Sequence, residues 1–376
     1  MPTKQLPPNP DLDHLRYQAK DLLKAHRARN PEANQRIREF HPRFGHATDT
    51  VISQAQFTLS DAQLAIAREY GFPNWARLRT YVQKPSRDDS NLPHHERIED
   101  AVFRRAVDLL DAGDADGLRA HLIGHPGLVH QRVRFEGGNY FTNPTLVEFA
   151  AENPVRRGSL PPNIVEAVKV ILDAGARADR ASMDAALALV CSGRVPRECG
   201  VQVALTDLLC DYGADPDSAM LPALGHGEFE AVEALVRRGA KVDLAAAAAT
   251  GRIQNARQLL PTANAPERHR ALALAAQHGH AGIVRLLLDA GEDPSRYNPV
   301  GCHSHSTPLH QAVLAGHGEV VRLLVERRAR LDIKDILFHG TPLDWARYAK
   351  ITQIEEYLRA QGAKTAEEFG QGADAS

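Results

Sequence analysis

The chain has little of what marks a secreted, membrane-bound or catalytic protein. Its four cysteines in 376 residues, Cys191, Cys199, Cys210 and Cys302, form no CxxC pair and no dense framework. That spacing excludes a disulfide scaffold and predicts free thiols in a reducing cytoplasm. No apolar run reaches the 18 or so residues of a spanning helix. The opening MPTKQLPPNPDLDHL lacks the basic-then-apolar order of a signal peptide. Net charge is only −2, so nothing global calls for nucleic acid or a membrane. There is no phosphate-cradling glycine loop, no GxSxG and no HExxH, so no catalytic residue, metal or cofactor is assigned and the protein is read as a non-enzyme. Aromatics are scarce at 6%, which makes their clustering informative.

What is present is a division of charge. Residues 1–84 carry 13 Lys+Arg against 8 Asp+Glu, leaving 32 against 39 for the remainder. The basic part reads as a small helical module. Leu12, Leu15, Ala19, Leu22 and Leu23 share one helical face. Asn30-Pro31 has the form of an N-cap followed by proline at the first helical position. SDAQ at 60–63 has capping-box spacing, with Gly71 to end that helix, and Trp75, Leu78 and Val82 predict a fourth. Arg36, Arg38, Arg43, Arg77 and Arg79 offer a basic face for nucleic acid, the alternative reading of this module. The polar stretch around 85–96 reads as a linker, and 367–376 as a disordered tail.

From residue 97 to 366 the chain repeats itself. VILDAGARAD (170–179), LLCDYGADPD (208–217), ALVRRGAKVD (234–243), LLLDAGEDPS (286–295), LLVERRARLD (323–332) and EYLRAQGAKT (356–365) each join an apolar helix end to a turn. The turn recurs at 175, 213, 239, 291, 328 and 362, and a degenerate copy, RQLLPTANAP, lies within the longest gap. Thr307-Pro308 and Thr341-Pro342 open helices with a capping hydroxyl and a proline that forfeits no amide bond.

The stretch TPLHQAVLAGHGEVVRLLVERRARLD resembles the ankyrin repeat closely, and five to eight copies cover residues 97–366. The resemblance implies an all-α solenoid of stacked helix pairs with projecting fingers, one continuous core and a protein partner. Preceded by its helical module, the whole resembles a group of bacterial ankyrin-repeat proteins. It implies structural roles for His310, between loops, and for His280 and His317 after the inter-helix glycines. The N-terminal module is expected to cap the array.

Two long fingers then stand out as candidate partner-binding surface. SRYNPVGCHSH contributes Arg296, Tyr297, Asn298, His303 and His305. RVRFEGGNYFTN contributes Phe135, Tyr140 and Phe141. Aromatic and arginine side chains give large contact area and directed hydrogen bonds. A further alternative is a metal or small-ligand sensor on residues 295–310, with Cys302, His303 and His305 joined by His278 or His339.

Overall fold

The computed structural model describes residues 12–83, 92–135 and 140–371, all-helical and without a β-strand among them. It divides into two compact units, one reaching Leu92 and the other beginning at Pro93.

The first unit holds α1 (Leu12–Arg27), α2 (Pro31–Phe40), α3 (Asp49–Gln54), α4 (Leu59–Glu69) and α5 (Trp75–Gln83). The expected stripe of α1 buries Leu15, Ala19 and Leu22, and Asn30 caps α2 by accepting from the Glu32 amide. The cap of α4 falls two residues earlier than SDAQ suggests. Thr58 and Asp61 form the box, because the Asp61 carboxylate accepts from both the amide and the hydroxyl of Thr58 at 2.8 and 2.6 Å. α3 carries too short a pattern to be read from periodicity. Arg36 pairs with Glu69, Arg38 with Asp49, and Arg43 lies over the Phe44 ring, so three of the basic candidates are engaged within the unit.

The second unit is a series of pairs: α6 (Ala101–Ala112) with α7 (Ala115–Gly124), a 3₁₀ turn (Leu146–Ala151) with α8 (Ile164–Asp173), and α9 (Arg180–Cys191) with α11 (Gln202–Asp211), the short α10 (Arg194–Glu198) lying in the insertion between them. There follow α12 (Pro216–His226) with α13 (Phe229–Arg237), α14 (Leu244–Ala249) with α15 (Ile253–Leu259), α16 (Ala265–Gln277) with α17 (Ala281–Asp289), α18 (Pro308–Leu314) with α19 (Gly318–Glu326), and α20 (Pro342–Tyr348) with α21 (Thr352–Ala360). First elements stack on first elements along the series. The recurring turn position is left-handed in all six of these copies: Gly175, Gly213, Gly239, Gly291, Arg328 and Gly362 have positive φ. Five of the six are glycine, the residue that enters that region without steric cost. The degenerate copy departs from this, ending instead in a 3₁₀ turn at Leu260–Thr262 around Pro261.

Helix starts obey the capping logic. Thr145 with Glu148, Thr307 with His310 and Thr341 with Asp344 all form reciprocal boxes. His310 is fully buried, its Nδ1 2.8 Å from the Thr307 hydroxyl and its Nε2 3.2 Å from the Gly340 carbonyl, so it ties two fingers together. His280 Nε2 reaches Ala249 O at 2.9 Å and His317 Nε2 reaches Gln277 O at 3.0 Å. Each closes an orphan carbonyl at the end of the preceding first helix.

The buried side chains of the array fall into two groups that meet at α14 and α16: α14 gives Ala245, Ala246 and Ala249 to one and Leu244, Ala247 and Ala248 to the other. Two expectations need correction. The linker does not extend to 96, because His94 and His95 are buried in a 3₁₀ turn, with His94 edge-on to Phe135 and Phe141 at 4.8 and 5.3 Å. The tail is ordered further than composition suggests. Ala366–Gln371 forms α22, where the Thr365 and Ala366 amides donate to Glu368 and Asp344. Residues 84–91 and 372–376 lie outside the described residues.

Candidate functional site

The slenderness of α14 sets the local geometry. All six of its residues, Leu244–Ala249, are buried. Across it the ends of α12 and α16 come within hydrogen-bonding reach: His278 Nε2 lies 2.7 Å from Leu224 O, and Gln277 donates to Gly225 O at 2.7 Å. Burial lowers the His278 pKa to about 4, against the raising effect of its bond to Leu224, so the ring is neutral at pH 7.

The finger between α17 and α18 does not stand free as the sequence reading expects. Its middle folds back onto α12. Gly301, at φ 86°, lies against Leu221, and a Cβ on Gly225 would sit 2.9 Å from the Gly301 carbonyl, so both glycines are needed for the approach. His303 is half-buried with Nε2 3.2 Å from Gly225 O, and Cys302 is fully buried in the core cluster of the earlier repeats. Burial pushes the Cys302 thiol up to about 11, which withholds a thiolate from metal or substrate at neutral pH. Among the described residues no cluster of three or more His, Cys, Asp or Glu is placed to hold a metal. Asn298 is buried within the finger, its backbone N–H donating to Ser306 O at 2.8 Å. Phe135 and Phe141 are also removed from the candidate surface: they are 5% and 2% exposed, packed with Phe149. Polar loop sequence hid this, because a finger can bury its own aromatics beneath it.

Arg296, Tyr297 and Tyr140 remain exposed, and His305 is half-buried between Phe338 and Trp345, with ring centroids 6.3 and 6.0 Å away. The finger between α19 and α20 runs beside the first. The Tyr297 hydroxyl donates to Lys334 O at 2.6 Å, and the Ile336 amide donates to His305 O at 2.8 Å. It carries three residues that the sequence reading passed over. Ile336, Leu337 and Phe338 are 56%, 62% and 74% exposed in succession. The available signal was an uninterrupted apolar triplet inside a loop.

This triplet is held on a rigid base. Asp335 is buried, and its carboxylate accepts from the amides of Leu337, Phe338 and Gly340 at 2.9, 2.7 and 2.9 Å and from the Trp345 indole at 3.0 Å. Burial alone would raise its pKa; the four donated bonds more than offset this and hold it below the ordinary carboxylate range.

Comparison with known proteins supplies a family match to "Ankyrin repeats (3 copies)" over residues 244–335. The chain is similar to mouse "Ankyrin repeat and SAM domain-containing protein 6", 34% identical over 106 residues, which is 28% of this chain and only 12% of that protein's length. It is also similar to cattle "Cyclin-dependent kinase 4 inhibitor B", 32% identical over 126 residues, 32% of this chain and 93% of that protein. Human "Cyclin-dependent kinase inhibitor 2A" is 32% identical over the same length, with 78% of it covered.

Proposed function

We propose, from the premise that this chain belongs to the ankyrin-repeat proteins, that it acts without catalysis, by holding a partner protein against the paired fingers 295–307 and 332–341. The observation that carries this reading is the outward triplet Ile336, Leu337 and Phe338 on its Asp335 base. Leaving three such side chains in water forgoes about 1.5–3 kcal/mol each, a deficit that a binding surface recovers on docking. A loop already fixed by four hydrogen bonds loses little conformational entropy when it binds. Tyr297 and His305 touch the finger that carries the triplet and, with the exposed Arg296 beside Tyr297, would give directed contacts. The relatives named as kinase inhibitors act on proteins, which supports this mode of action without naming the partner here. The bacterial resemblance, the cytoplasmic setting and a role for residues 1–84 as a separate module belong to the same reading. Free thiols at all four cysteines support the setting, and no helix among the described residues is long and apolar enough to cross a membrane.

A photo-crosslinking residue at position 337 tests the proposal, with an Ile336→Ser/Phe338→Ser variant as control. A protein crosslinked at 337 and lost from the double variant, with melting unchanged, supports it. A partner retained equally by wild type and double variant moves the site away from the fingers, and no crosslink from 337 overturns the assignment.

A further inference from the structure

We propose that a cavity of about 250 Å³ between α12, α14 and α16 is a binding site for a carboxylate on a short apolar stem, received by Arg270. This site is separate from the finger triplet and does not depend on the function proposed above. Met220, Leu221 and Leu224 of α12 give the cavity an apolar wall, and Arg270 of α16 enters it from the other side. The Arg270 side chain is half-buried and makes no hydrogen bond or ion pair with the described residues, and its Nε is fully shielded from solvent with no acceptor. A guanidinium withdrawn from water normally has a carboxylate partner, since its planar fork matches one in bidentate geometry. Other arginines of this unit follow that rule: the fully buried Arg156 pairs with Asp111 and Glu152, and the half-buried Arg268 with Glu292.

The charges around the cavity define the ligand. Asp217, Asp243 and Lys241 also line it. Asp217 accepts from the Lys241 amide at 2.7 Å and pairs with the Lys241 ammonium at 3.9 Å, Asp243 accepts from the Ala246 amide at 2.8 Å, and neither carboxylate pairs with Arg270. Their charge opposes a dianion such as phosphate about twice as strongly as a monoanion, so a single carboxylate is the better match to one guanidinium. The volume lies just below the range of ordinary small-molecule pockets, which fits a side chain or a short fatty acid. A partner's glutamate beside apolar residues and a free aliphatic acid present the same chemistry.

The chain contains three methionines, which makes methyl-labelled methionine a direct reporter. Met220 lines the cavity, while the fully buried Met183 does not and serves as internal control. The probes are hexanoate, its neutral counterpart hexanamide, and a terminally blocked Leu-Glu-Leu peptide. A saturable shift of the Met220 methyl is expected with hexanoate, the peptide or both, with none from hexanamide. Arg270→Gln should weaken the response about 10- to 100-fold, the worth of a charge-assisted pair, with unchanged melting, and Arg270→Lys should weaken it less. Response to the peptide alone assigns the site to a partner's side chain, and response to hexanoate alone assigns it to a small acid. No shift with either carboxylate, an equal shift with hexanamide, or full retention in Arg270→Gln overturns the proposal. The hexanoate–hexanamide contrast in wild-type protein decides the matter even if the variants fold poorly.

Discussion

Replacing Asp335 by asparagine isolates the bond set that holds the exposed triplet in place. The native carboxylate satisfies four donors: Leu337 N and Phe338 N at one oxygen, and Gly340 N and Trp345 Nε1 at the other. Asparagine keeps one acceptor oxygen and presents an NH₂ where the other stood, so two donors meet a donor. Each buried group left unpaired costs about 1–3 kcal/mol. The tip carrying Ile336 and Phe338 is solvent-exposed and can relax, which places the sum in its lower half, about 2–4 kcal/mol. The chain has two tryptophans, and Trp75 lies in the first unit, so a Trp75→Phe background leaves Trp345 as the sole indole and as the reporter of the bond under test. Urea unfolding followed by Trp345 fluorescence should show the loss in the last repeats. A change below about 0.5 kcal/mol would refute the argument that Asp335 organises the finger.

Acidification should destabilise the repeats before Asp335 titrates. His310 and His278 have folded pKa values lowered to about 4 by burial, against 6.5 when unfolded, so the unfolded chain binds more protons between those values and stability falls as pH drops through that window. His310→Gln should lose less stability than wild type between about pH 7 and pH 4.5; parallel losses in urea midpoint would count against the buried neutral ring. Gly279→Ala and Gly316→Ala test the inter-helix turns. Both carry a left-handed penalty of about 1–2 kcal/mol, but a Cβ at 279 would lie 2.6 Å from the His317 ring, which is anchored to Gln277, whereas one at 316 meets only Ile351 at 3.5 Å. Thermal melting should therefore rank Gly279→Ala as the more damaging, and the reverse order would show that the His317 contact yields freely.

The sequence by itself determined what depends on local chemistry repeated at a fixed spacing. Capping threonines, N1 prolines, left-handed glycines and helical apolar stripes act within a few residues, so the helix pairs and their turns could be read in order along the chain, while the structural place of His310, His280 and His317, whose partners lie 30 to 40 residues away, came from the resemblance to the ankyrin repeat. Only the tertiary structure decided which finger residues face water. Cys302 lies in polar, glycine-bearing sequence but is buried, because the finger crosses to an element 70 or more residues earlier, at Leu221 and Gly225. Phe135 and Phe141 turn inward because His94 and Phe149 supply a pocket that no local pattern announces. Ile336, Leu337 and Phe338 turn outward because the Asp335 carboxylate, held by Trp345 of the next helix, leaves the tip no core to enter. Exposure and charge pairing, including the unpartnered Arg270 facing α12, are sums over neighbours distant in sequence, and those neighbours are chosen by the stacking of the repeats.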